Sequence, residues 1–221
     1  MKLKFNLNEI EDFDSNFYRN HLISFFDNNN ISTAWRNNFF NKHYGYRRMF
    51  AYLVNQFMGK ELIEIGTSSG GGTLSLAYNS KNNVITYDRK GAGAREVWDV
   101  ATLDNVESYI LSDDNTKTAL GNILEKNDHV EKILKSDLIF FDVDPHSGEH
   151  EDEFFYFLIE NNYKGLVLWD DTNGKLKMWM KNKLNEIRES YSNIRVYDLL
   201  RYSWDEGTTL MCFGEQEITL E

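Results

Sequence analysis

The run Leu62-Ile63-Glu64-Ile65-Gly66-Thr67-Ser68-Ser69-Gly70-Gly71-Gly72 decides how this chain reads. A short apolar strand carrying an acid passes into a glycine-rich loop, and small and apolar residues of helical character follow. The next strand, Val84-Ile85-Thr86-Tyr87, ends on Asp88. Two later ones repeat the design: Leu138 to Phe141 leads into Asp142 and Asp144, and Gly165 to Trp169 leads into Asp170-Asp171. Strand, glycine loop, helix and strand in succession signal βαβ units and a parallel sheet. Ligands of open α/β sheets bind at the carboxyl ends of the strands. The four acidic strand ends are therefore expected to converge on one site, whose chemistry suits a cationic, ribose-bearing ligand and a metal ion.

Outward from this segment, residues 13–27 read as an amphipathic helix through Phe17, Leu22, Ile23, Phe25 and Phe26, ending at Asn28-Asn29-Asn30. Met49, Phe50, Leu53, Val54 and Phe57 give a second helical stripe. The third strand of the sheet has two readings. Either Val106 to Leu111 forms it, or residues 99–111 are helical and Lys117 to Leu120 is the strand, leading into Gly121-Asn122. The second is preferred, since it places the polar Asn122 at a strand end. A short helix is expected over 128–134, another through Phe154 to Ile159, and a basic-faced one over 175–190. Ile194 to Leu199 and Thr208 to Phe213 lie too close for a helical crossover, so they should pair antiparallel around Asp205-Glu206-Gly207.

The 221 residues suit one globular unit. Residues 1–60 read as a helical region packed on the core that can also lid a substrate, and 61–221 as the ligand-binding domain. The single Cys212 excludes a disulfide framework and fits a reducing, cytoplasmic compartment. No apolar run reaches the roughly 20 residues that span a bilayer, and Met1 to Asn8 lacks the core of a secretion signal. A net charge of -11 argues against a nucleic-acid partner. The expected partner is a small molecule, with a homo-oligomer left open.

Glycine at position 68 would complete a dinucleotide fingerprint counted from Gly66, and the chain has Ser68 there. It offers instead Glu64-x-Gly66-x-x-x-Gly70 with Asp88 on the following strand. This arrangement resembles motif I of the class I S-adenosylmethionine-dependent methyltransferases. The resemblance covers roughly residues 50–214 and implies a Rossmann-like, mostly parallel seven-stranded sheet with helices on both faces and a C-terminal antiparallel strand pair. It also implies cofactor contacts from Glu64, Gly66, Thr67, Ser68, Gly70, Asp88 and Asn122. Asp88 suits the ribose hydroxyls through charge-assisted hydrogen bonds. The loop amides with Thr67 or Ser68 suit the methionine carboxylate, and Glu64 brings negative charge near the ammonium and sulfonium groups.

The segments Ser136 to Gly148 and Lys164 to Thr172 resemble more narrowly the metal-dependent small-molecule O-methyltransferases of catechol and macrolide-sugar type. That likeness implies Mg²⁺ or another divalent cation held by Asp142, Asp170 and Asp171, with Asp144 as an alternative to Asp142. Hard oxygen donors suit Mg²⁺, and a ring of acids without a cation would repel itself. An acid at 171, where the catechol pattern has an amide, is closer to the sugar methyltransferases. A related group is classed as hydroxylases, which leaves the reaction type open. Asp142 and His146 are the candidate catalytic residues, since an imidazole titrates near neutrality. Lys175 or Lys177 can serve as the base instead, His150 reads as a surface helix residue, and Arg47 or Arg48 can pair with the methionine carboxylate. The expected activity is methyl transfer to a small-molecule hydroxyl. The alternatives are a metal-free enzyme acting on nitrogen or a protein, and an inert S-adenosylmethionine-binding module.

Overall fold

The computed structural model describes residues 1–42, 44–89, 103–111, 116–203 and 207–221, with backbone only at 41, 42 and 116–118. Its centre is a seven-stranded sheet. In chain order the strands are β2 (Glu61–Ile65), β3 (Asn83–Arg89), β4 (Val106–Leu111), β5 (Leu138–Phe141), β6 (Leu166–Trp169), β7 (Arg195–Asp198) and β8 (Thr209–Cys212). In space they run β4-β3-β2-β5-β6-β8-β7. The pairings from β4 to β6 are parallel, whereas β8 is antiparallel to both β6 and β7. The antiparallel pair expected after residue 191 is thus present, and β8 is its reversed member. Of its expected connection, Asp205 and Glu206 lie outside the described residues.

From β2 the chain winds outward to β4, then returns to start the other half at β5 beside β2. That reversal opens a crevice above the carboxyl ends of β2 and β5, where ligands of doubly wound sheets bind. Alternation along the strands sorts side chains onto two faces. Ile63, Ile65, Ile139, Phe141, Val167 and Trp169 pack under α6 (Thr116–Glu125), α7 (Asn127–Lys135), α8 (Glu149–Glu160) and α9 (Lys177–Ser190). Leu62, Leu138, Phe140, Leu166 and Leu168 pack on the other face, against α4 (Tyr44–Val54) and α5 (Gly71–Leu76). These strands are buried on both sides, which explains their near-continuous apolar runs.

Residues 1–60 are built into this core. Ring centroids of Phe50 on α4 and Phe140 on β5 stand 4.6 Å apart, edge to face. In place of one helix over 13–27 there are α1 (Leu7–Phe13), a π-helical turn (Asp14–Tyr18) and α2 (Arg19–Asn28), followed by α3 (Thr33–Lys42). Asn6 caps α1, its side chain accepting from the Glu9 amide at 3.1 Å. An aromatic cluster of Phe13, Tyr18, Phe26, Trp35, Phe39 and Tyr44 joins these helices. Two strands were not legible in the sequence: β1 (Lys2–Phe5) pairs in parallel with β9 (Glu217–Leu220), burying Leu3 and Phe5.

The preferred third strand is corrected. Val106 to Leu111 is the strand, and Lys117 to Leu120 belongs to helix α6. Glu107, Ser108 and Ile110 are exposed on β4, a sheet-edge strand whose half-polar sequence masked its character. Tyr109 fixes it by stacking on Tyr87 at 5.2 Å. In α6, Ala119, Leu120 and Ile123 recur at helical spacing and are buried. Among the described residues no helix is long and apolar enough to cross a membrane.

The contact of Phe50 with Phe140 generates a test of how firmly the N-terminal helices belong to the core. Phe50→Ala should cost about 3–5 kcal/mol of stability, read by urea unfolding followed by far-UV circular dichroism. A cost below about 1 kcal/mol would show that α4 is only loosely docked.

Candidate active site at the switch point

The site begins with backbone contacts that only glycine permits. Gly66 has φ +105°, and a Cβ there would collide with the carbonyl oxygen of Asp142. The ends of three strands are locked side by side: the Asp142 amide donates to the Ile65 carbonyl at 2.9 Å, and the Asp170 amide to the Phe141 carbonyl at 3.2 Å. Gly72 is packed equally tightly, since a Cβ there would meet Oε1 of Glu64. The loop between is tied to β3. The Ser68 amide donates to Oδ2 of Asp88 at 2.6 Å, and the Arg89 amide to Oδ1 at 2.7 Å.

Glu64 is only 1 % exposed and anchors a chain of hydroxyls. Thr73 and Thr86 both donate to its Oε2, the latter at 2.6 Å. Thr67 bonds Thr86 in turn, which extends the hydroxyl chain to the glycine loop. Oε1 of Glu64 has no hydrogen-bond partner among the described residues. Burial pushes the Glu64 carboxyl up to about 8; the threonine donors and Arg47 pull it down, and Asp88 pushes it up.

Two cavities meet over this loop. The smaller, about 120 Å³, has apolar walls from Ile65, Tyr87, Leu111, Leu120, Ile123 and Val143, with Asp88 at its rim. The larger, about 440 Å³, is walled by the glycine loop, Glu64, Tyr46, Arg47 and the acidic strand ends. Gly66, Ser68, Asp142 and Asp144 line both. One elongated ligand can therefore lie across the loop, with an apolar ring system in one cavity and a charged end in the other.

The acids of β5 and β6 face the larger cavity. Asp142 Oδ1, Asp144 Oδ1 and Asp171 Oδ2 stand 3.7, 3.4 and 3.4 Å from Nε2 of His146. Asp170 Oδ1 accepts from the Thr208 hydroxyl at 3.3 Å. Burial, then the charges of Asp170, Asp171, Glu64 and Asp144, raise the Asp142 carboxyl well above the usual carboxylate range. His146 (φ +52°) and Asp171 (φ +56°) both adopt the left-handed backbone region, uncommon for residues with a side chain. The donors have the hard-oxygen chemistry that suits Mg²⁺. Their arrangement around an imidazole does not assemble the expected ligand set, and no group of three or more His, Cys, Asp or Glu among the described residues forms a metal site.

Most sequence candidates thus share one crevice: Glu64, Gly66, Thr67, Ser68, Asp88, Asp142, His146, Asp170 and Asp171 all line it. Gly70 acts through the loop, at φ +81° and with its amide on the Thr67 carbonyl at 2.8 Å. Asn122 does not join them. It stands on α6, about 200° around the helix from the wall residue Leu120, and lines neither cavity. Arg47 lines the larger cavity, buried over the ring of Phe39 at 4.4 Å and donating to the Phe39 carbonyl at 3.0 Å. Arg48 turns to Asp14 instead, at 3.9 Å. Lys175 is on the wall and Lys177 is not. His150 is buried on α8, not on the surface. Asn38 and Ser203 are wall residues without a sequence signal, whereas Leu120 and Ile123 follow from the spacing of α6 once it is read as a helix.

No protein-family model and no curated protein matches this chain. Solved structures do. Cofactor-bound Rv0187 from MTB superposes with a TM-score of 0.56 at 14 % identity, over 96 % of this chain and 99 % of that one. An O-methyltransferase from Bacillus cereus in complex with SAH gives 0.55 at 13 % identity, over 92 % and 96 %. The O-methyltransferase TomG from Streptomyces achromogenes, in complex with SAM, gives 0.52 at 13 % identity, over 76 % and 79 %. At these identities the likeness is one of fold, and the chain has the Rossmann-like fold of the class I S-adenosylmethionine-dependent methyltransferases.

Proposed function

We propose that this chain is a methyltransferase that uses S-adenosylmethionine to methylate a hydroxyl of a small molecule. The observation that carries the reading is the pair of cavities joined at Gly66 and Ser68, with Asp88 at the rim of the apolar one and Glu64 and Arg47 on the polar one. The apolar walls suit an adenine, Asp88 suits ribose hydroxyls, and the Arg47 guanidinium suits a carboxylate. Bound there, S-adenosylmethionine supplies a methyl group on a sulfonium.

The acceptor side is the rest of the larger cavity. His146 Nε2 is the proposed base. It takes the hydroxyl proton as the new O–CH₃ bond forms and the S–CH₃ bond breaks, leaving S-adenosylhomocysteine and the methyl ether. Asp144, 3.4 Å from that nitrogen, balances the imidazole's charge once it is protonated. Residues 1–60 contribute Asn38 and Tyr46 to the wall of the acceptor side, and so act as its lid. A divalent ion belongs to the proposal as well. Asp142, Asp170 and Asp171 would hold it once Asp142 and Asp171 turn from the His146 imidazole on which they now stand, a reading supported by their hard-oxygen chemistry and by the like-charge pressure on Asp142. Such an ion would acidify the acceptor hydroxyl.

Titration calorimetry with S-adenosylhomocysteine tests the cofactor. Micromolar binding is expected, and Asp88→Ala should weaken it by about 1.5–3 kcal/mol, the worth of hydrogen bonds to a charged group. Tight NADH binding without any response to S-adenosylhomocysteine would reverse the assignment. For the metal, dialysis against EDTA should abolish turnover yet leave S-adenosylhomocysteine affinity nearly unchanged, and Mg²⁺ or Mn²⁺ should restore activity. Full turnover in EDTA would leave a metal-free enzyme relying on His146.

A further inference from the structure

Glu64 is a buried carboxyl whose proton the proposed chemistry does not use. Its Oε2 is saturated by Thr73 and Thr86, while Oε1 is buried beside Gly72 with no hydrogen-bond partner among the described residues, and the residue lines the larger cavity. Gly72 keeps the space beside Oε1 clear, because any larger residue would occupy it. A buried carboxylate with one uncompensated oxygen is costly, and in an empty site the neutral acid is the cheaper form.

The groups around it agree. Arg47 on α4 favours the charged form, while Asp88 at the end of β3 opposes it. Asp142, at the end of β5, is itself under like-charge pressure from Glu64. Thr73 on α5 and Thr86 on β3 present hydroxyl donors, which stabilise the carboxylate without neutralising it. Across the cavity stand Asp144, His146, Asp170, Asp171 and Lys175. No lysine or arginine among the described residues forms an ion pair with Glu64 in this arrangement.

We infer that Glu64 couples cofactor uptake to proton release: it is a neutral acid in the empty site, and loses its proton when the ammonium group of the cofactor's amino-acid end reaches the side of the larger cavity that Glu64 lines. The inference rests on the cofactor reading above and extends it to a positioning role for Glu64. The sign follows from linkage. The empty-site carboxyl is held up near 8, and a cation beside it lowers that value. Below 8 the free protein therefore carries a proton that the complex does not, and affinity rises with pH until it levels off above about 8.

The test is calorimetric titration of the full chain with S-adenosylhomocysteine, at pH 7, in buffers of different ionisation enthalpy. Close to one proton released per ligand is expected at pH 7, falling toward zero above about pH 9, with affinity climbing up to about tenfold per pH unit below 8. Glu64→Gln should abolish the release and flatten the profile. Should that variant fail to fold, difference infrared spectroscopy on wild-type protein with isotope-labelled glutamate reads the same event, as loss of a protonated glutamic acid band on binding. Binding without proton release, or release that persists in Glu64→Gln, overturns the inference and leaves the cofactor assignment standing. Absence of any binding sinks the assignment and the inference together.

Discussion

The contact between Gly66 and the Asp142 carbonyl oxygen is the constraint on which the rest of the site depends. It holds the end of β2 against the end of β5 at the place where the strand order reverses. With no side chain between them, the glycine loop runs over the sheet edge and both cavities open on it. Asp88 then fixes the loop from the other side by accepting the Ser68 amide. A side chain at position 66 would separate the two strand ends and disconnect the halves of the crevice.

Charge is distributed unevenly along that crevice. The smaller cavity is lined by Asp88, Asp142 and Asp144 with Arg89, whereas the larger cavity adds Glu64, Asp170 and Asp171 to Asp142 and Asp144, against Arg47 and Lys175. Such a concentration of acids is fixed in place by the rigid strand ends, and burial together with mutual repulsion raises the carboxyls of Glu64 and Asp142. The two respond differently. Glu64 is embedded among threonine hydroxyls, while Asp142 shares the imidazole of His146 with Asp144 and Asp171. The first arrangement suits a cationic ligand end, and the second suits proton transfer.

Much of this was legible in the sequence because the decisive signals are local. Apolar strands ending in acids, and a glycine loop after the first of them, give the sheet, its direction and the crevice without tertiary information. What was not legible depends on pairing at a distance. Strand β4 is half exposed at the sheet edge and owes its state to Tyr87 and its neighbours on β3, so its own pattern was ambiguous. Asn122 followed that misreading onto the wrong element. The four-residue β1 finds its partner β9 more than 200 residues away. His146 was nameable as a candidate base, but its place among three acids depends on a loop geometry with positive φ that no periodicity encodes.

The proposed cofactor is one elongated ligand lying across the glycine loop. A co-crystal structure with S-adenosylhomocysteine tests this most directly. It should show the adenine against Leu120 and Ile123, the ribose hydroxyls on Asp88, and the sulfur above Gly66, with the amino-acid end between Glu64 and Arg47. Density for the ligand elsewhere on the chain, or a crevice left empty at saturating concentration, would contradict it.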